Sequence, residues 1–97
     1  LATGELEDSE AHRRLLARAW EAARDRDRAL GAWEALAGRS GEGADWLHLG
    51  QLAHAWGHDD LAKRALTRAR ERGADNAERW LEAMAATATR QEAVAFD

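Results

Sequence analysis

Three histidines fall close together between Ala44 and Asp75: His48, His54 and His58. Imidazole nitrogens ligate zinc well, and His54 and His58 stand at i and i+4, the spacing that sets two rings over one face of an unbroken helix. Gly57 lies between them, however, and Asp59 and Asp60 serve a following helix better as caps. No HExxH pattern and no cysteine accompany them. The expectation is solvated histidines and no metal site. The stretch "GRSGEG" (Gly38–Gly43) has the glycine density of a phosphate cradle, yet it lacks the Lys-Ser/Thr ending and no strand precedes it. It reads as a flexible loop between helices. Ser9 and Ser40 are the only serines, one at a cap position and one in that loop, so no hydrolase triad can be assembled. The carboxylates sit on charged helix surfaces and caps, without an apolar pocket to raise a pKa for acid–base work. These residues point to no enzyme and no cofactor.

The bulk composition narrows the remaining classes. A chain of 97 residues is one domain, spanning 1–97, and reads as a piece of something longer, because it opens "LATGELEDSE" with no starting Met or targeting motif. Fourteen Lys and Arg against 18 Asp and Glu give a net charge of −4, which argues against nucleic acid and against a polybasic membrane anchor. No apolar run approaches the roughly 20 residues of a membrane-inserted helix. Without cysteine the redox compartment is not indicated. Ala, Leu, Arg and Glu dominate and Pro is absent, so the composition is that of an all-α chain.

The spacing predicts five helices. Ser9 caps the first, which runs to about Ala23, and Asp25 or Asp27 caps the second, ending near Gly38. A third runs Ala44–Trp56 and is stopped by Gly57. Asp59 caps a fourth that ends at Gly73, with Arg70 and Arg72 at the negative end of its dipole. Asp75 and Glu78 form a capping-box-like start for the fifth. Trp46, Leu49, Ala53 and Trp56 share one face of the third helix; Ala62, Ala65, Leu66 and Ala69 share one face of the fourth, with Lys63, Arg64, Thr67 and Arg68 outward. Helices this short are not stable alone and must pack antiparallel through tight turns.

Comparison of the chain with itself adds a repeat. Trp46 recurs as Trp80, at a spacing of 34; Ala62 and Leu66 align with Ala29 and Trp33 at a spacing of 33, and Ala53 with Trp20. Trp46, Leu49, Gly50 and Ala53, then Ala62, Leu66 and Ala69, then Ala74, resemble the tetratricopeptide repeat, whose pattern is W-x2-L-G-x2-Y, A-x3-F-x2-A and P. Ala53 and Ala74 depart from it. The first unit, about 10–42, carries Leu16, Ala17, Trp20, Ala29, Trp33 and Leu36 at the signature positions, with Trp20 and Trp33 supplying bulk that its small alanines leave unfilled. The second unit is about 43–76, and a partial repeat or capping helix occupies 77–97. Four of the five tryptophans are expected in the core, with Trp56 partly exposed.

The resemblance implies antiparallel helix-turn-helix repeats stacked as a short right-handed α-solenoid, with a concave groove that takes a peptide or helix of a partner protein. Carrying over the family's groove positions gives Arg14 and Arg18 at a basic end, then His48, Gln51 and His54, and Glu78 and Glu82 at an acidic end. Those two glutamates stand where the family's clamp for chaperone tails needs cations, so a ligand of mixed charge is implied instead. The competing expectation is a structural module that self-associates through its terminal helix, making a second copy of the chain the partner. Lys63 is the sole lysine, a bias that fits a GC-rich bacterial gene, and repeats of this kind imply a scaffold in envelope assembly or polysaccharide export. "RDRDR" (Arg24–Arg28) and "RARER" (Arg68–Arg72) read as solvated faces and helix ends, with an anionic partner docking on the convex side as the alternative.

Overall fold

The computed structural model describes the backbone of residues 9–95 and the side chains of residues 9–86. The chain's opening and closing stretches, taken above into a domain of 1–97, lie outside the described residues at 1–8 and 96–97. Among the described residues five helices follow one another: α1 (Glu10–Ala22), α2 (Arg26–Ser40), α3 (Gly43–Ala55), α4 (Asp59–Glu71) and α5 (Asp75–Ala95). The connections are short, so each helix folds back on the one before it. α1 packs on α2, α2 on α3, α3 on α4 and α4 on α5, and α5 also touches α3. Helix starts recur at a spacing of 33 from α1 to α3 and from α2 to α4, and at a spacing of 32 from α3 to α5.

The ends of the helices follow local chemistry. Ser9 accepts from the His12 N–H at 3.1 Å, and Asp25 accepts from the Arg28 N–H at 3.3 Å, so both N-caps are made as the residue types predict. Each helix–helix turn holds one residue in the left-handed region: Arg24, Gly41, Gly57 and Gly73, with φ of 58°, 67°, 83° and 84°. Two expectations fail here. "GRSGEG" is not a loop: α2 runs on through Gly38 to Ser40, the reversal is confined to Gly41 and Glu42, and Gly43 already opens α3. Asp59 is not a cap either. It is the first residue of α4, behind His58, and its carboxylate turns to His54.

The core is built mainly on α2, α3 and α4. Ala29, Leu36, Ala37, Leu49, Ala53, Ala62, Leu66 and Ala69 are all fully buried; those on α3 and α4 lie on the faces expected of the second unit, from which only Trp56 stays partly exposed. At Gly50 the side chain of Leu66 on α4 presses against the backbone of α3. A Cβ built on Gly50 would stand 2.6 Å from Leu66 Cγ, so only glycine permits this approach. The first unit is different. Leu16 is 46% exposed and Leu15 67%, although Leu16 occupies the position that Leu49 holds in α3. Trp33 does enter the core, but Trp20 does not. It lies half-buried on the surface with the Arg28 guanidinium 4.8 Å from its ring centroid. Only Trp33 and Trp46 are core tryptophans; Trp56 and Trp80 lie against the core from its edge.

Register explains the fate of Trp80. The left-handed turns before α3 and α5, at Gly41 and Gly73, stand at a spacing of 32, so Trp80 falls at the place of His48 and Leu81 at the place of Leu49. The tryptophan echo of Trp46 is therefore two positions out of structural step.

Candidate functional site

The side chains of α1 and α3 meet across a gap, since no backbone contact joins these helices among the described residues. What spans the gap is a set of polar side chains around a cavity of 420 Å³, lined by Arg14, Arg18, Glu21, Trp33, Ala44, Asp45 and His48. Residues 14, 18 and 21 are successive turns of α1, and Ala44, Asp45 and His48 are the first turns of α3, so helical spacing alone aligns the two rows.

At one end Arg14 grips Asp45 with both terminal nitrogens, Nη1 to Oδ1 at 2.5 Å and Nη2 to Oδ2 at 3.1 Å. Ser40 donates its hydroxyl to Asp45 Oδ2 at 2.6 Å. Asp45 is only 3% exposed. Burial pushes its carboxyl up, but the hydrogen bonds from Arg14 and Ser40, with the Arg14 charge and His48 beside it, outweigh that and hold it below the usual carboxylate range. The same hydrogen bond to Asp45 raises Arg14 above its ordinary value against the pull of its own desolvation. This is a structural strut between the two units, made of a bidentate, charge-assisted pair.

At the other end Glu21 Oε1 accepts twice, from Trp33 Nε1 at 3.0 Å and from His48 Nε2 at 2.8 Å. A carboxylate only accepts, which makes the His48 nitrogen the donor. The His48 ring also leans on Trp33, with centroids 4.3 Å apart. One carboxylate of α1 thus orients an indole of α2 and an imidazole of α3. His48 is accordingly a positioned ring and not an ordinary solvated one.

Of the seven groove positions expected, the structure brings Arg14, Arg18 and His48 together in this cavity. Arg14 is committed to Asp45; Arg18 is exposed and lines the cavity with its charge. Gln51 is half-buried on α3. His54 lies further along, its Nδ1 3.3 Å from Asp59 and its ring edge-on to Trp80 at 5.9 Å. Glu78 and Glu82 are exposed on α5, outside the cavity. Sequence reasoning missed Asp45, Glu21 and Ser40. For Glu21 a signal was present: it holds in α1 the register position of His54 in α3, on the face expected to line the groove.

Between His54 and His58 the chain passes through Gly57 in the left-handed region, and His54 turns to Asp59. Among the described residues no three His or acidic side chains gather as a metal site, and no helix is long and apolar enough to cross a membrane. Comparison with protein-family models, with curated proteins and with solved structures gives no match for this chain. The fold and site define an all-α chain of consecutively packed helix pairs with a polar cleft between its first and third helices.

Proposed function

We propose that the chain is a non-catalytic interaction module of the tetratricopeptide-like type, stacked as a right-handed solenoid, which binds a peptide or helix of a partner protein along α1, α3 and α5. The observation that supports this is the cleft itself: an exposed cation, Arg18, beside a ring pair, Trp33 and His48, whose orientation Glu21 fixes in advance. Side chains held before binding cost less entropy to order in a complex. With Glu78 and Glu82 exposed on α5, the row runs from basic to acidic and selects a ligand of mixed charge.

Peptides selected from a displayed random library on the purified chain test this reading, with titration calorimetry on wild type and variants. Arg18→Ala and His48→Ala should each weaken the selected peptides by about tenfold, the loss expected of an interface anchor, with the folded baseline in circular dichroism retained. If both variants bind every selected peptide as wild type does, the groove is not the binding surface. A second reading, self-association, is favoured by the exposure of Leu15 and Leu16. It predicts a mass by light scattering that rises with concentration and falls back in Leu15→Ser.

A further inference from the structure

The other side of the molecule carries a second, larger cavity of 680 Å³, formed by α2 and α4 with Trp46 of α3 at its base. Its charge is lopsided. Lys63, Arg64 and Arg68 of α4 and Arg72 at its C-cap line it, together with Glu34 of α2 and Glu71 of α4. Lys63, Arg64 and Arg68 are exposed, and among the described residues none has an acidic partner within ion-pair distance. Arg72 donates one nitrogen to the Gly41 carbonyl at 2.8 Å, which leaves the rest of its guanidinium fork free to bond elsewhere. The Arg68 guanidinium stands 5.3 Å from the Trp46 ring centroid, held over an indole whose N–H is buried without a hydrogen-bond partner. A cationic row with aromatic backing has thus been gathered in a chain whose net charge is −4.

We propose that this α2/α4 face is a docking site for an acidic peptide segment of a partner protein, independent of the cleft between α1 and α3. The spacing matches that ligand. Arg64, Arg68 and Arg72 recur at every fourth position of a helix and its cap, so their Cα atoms step by about 6 Å along its axis. Same-face side chains of an extended peptide recur at about 6.6 Å. Carboxylates at alternate positions of an extended segment therefore meet three successive guanidinium groups, which bind carboxylates bidentately. Leu61, before Arg64 at the start of the row, offers apolar contact to a further side chain on the same face of the segment. Glu34 and Glu71 in the same lining, and the acidic chain as a whole, oppose a long uniform polyanion such as a nucleic acid backbone.

A fluorescein-labelled peptide alternating Glu and Ala, and its counterpart with Gln for Glu, decide the matter by fluorescence anisotropy on the full chain. The Glu peptide should bind saturably and weaken as salt is raised, while the Gln peptide does not bind. Arg64→Glu should weaken the Glu peptide by about tenfold or more. Arg68 touches Trp46, so Arg68→Glu is read together with its melting curve, and exposed Arg64 keeps the test valid on its own. Arg18→Glu, in the opposite cleft, should leave this binding unchanged, which separates failure of this site from failure of the cleft. Equal binding of the two peptides, full binding by Arg64→Glu, or tighter binding of a single-stranded oligonucleotide of the same charge overturns the proposal.

Discussion

The α1–α2 and α3–α4 pairs share one register but are held by different forces. In α3–α4, Leu49, Ala53, Ala62, Leu66 and Ala69 are fully buried, and Gly50 lets Leu66 nest against the backbone of α3. In α1–α2 the counterparts are Leu16, Trp20, Ala29, Trp33 and Leu36; the three on α2 are buried and the two on α1 are not. The difference is one of neighbours. α3 is enclosed by α2, α4 and α5, whereas among the described residues α1 packs on α2 alone. A signature leucine is buried only when helices lie on both sides of it. The first pair compensates with polar ties: Arg14–Asp45 and the Glu21–Trp33–His48 set join it to the second.

The largest test of this contrast uses one substitution in both registers. Leu49→Ala empties a fully buried site and should cost about 2–5 kcal/mol, while Leu16→Ala, at the same register position in α1, should stay within about 0.5 kcal/mol. Urea unfolding of the two variants measures both. Equal losses would mean that α1 is enclosed in solution by something that buries Leu16, and the asymmetry would vanish.

The polar junction should differ from the apolar one in its response to acid. Arg14→Ala strands the Asp45 carboxylate with only Ser40 as donor and should cost about 3 kcal/mol at neutral pH. Because Asp45 is held below the ordinary carboxylate pKa of about 3.9, its contribution is fully present above that value and is lost as pH falls through the lower folded value. Wild-type stability should therefore drop below about pH 4 more steeply than that of Asp45→Asn, which has no such proton to take up. Melting temperatures of the two proteins across about pH 2–7 check the sign. Parallel curves would remove Asp45 as the acid-sensitive element.

How much of this is legible in the sequence depends on whether the cause is local. The five helices and the buried face of α4 follow from the helical period and from Ser9 and Asp25, each acting over one turn. The strut is invisible there because Arg14 and Asp45 lie far apart along the chain, and an acid in the first turn of a helix reads by itself as a dipole partner. The cleft is half legible. The repeat places Arg14, Arg18 and His48, and by register Glu21, on the groove face, but not Glu21's role as a hub, which exists only once Trp33 and His48 arrive from two other helices. The echo of Trp46 at Trp80 misleads because an identical residue need not keep structural step; the turn residues Gly41 and Gly73 set that step, and they place Trp80 opposite His48.

Those turn residues give the finest comparison between the two pairs. Gly57, between α3 and α4, has φ of 83°, a conformation that costs glycine nothing. Its counterpart between α1 and α2 is Arg24, exposed and held at φ of 58°. A side chain with a Cβ pays about 1–2 kcal/mol in that region. Glycine returns part of that gain through the greater freedom of its unfolded chain. Arg24→Gly should consequently stabilise the protein by about 0.5–1 kcal/mol, and Gly57→Ala should destabilise it by about 1–2 kcal/mol. Opposite signs in the two turns would show that both pairs close by the same backbone geometry, with only the second carrying the residue that suits it. If Arg24→Gly is neutral while Gly57→Ala is costly, the α1–α2 turn relaxes in solution, and the first pair is the looser unit in its backbone as well as in its core.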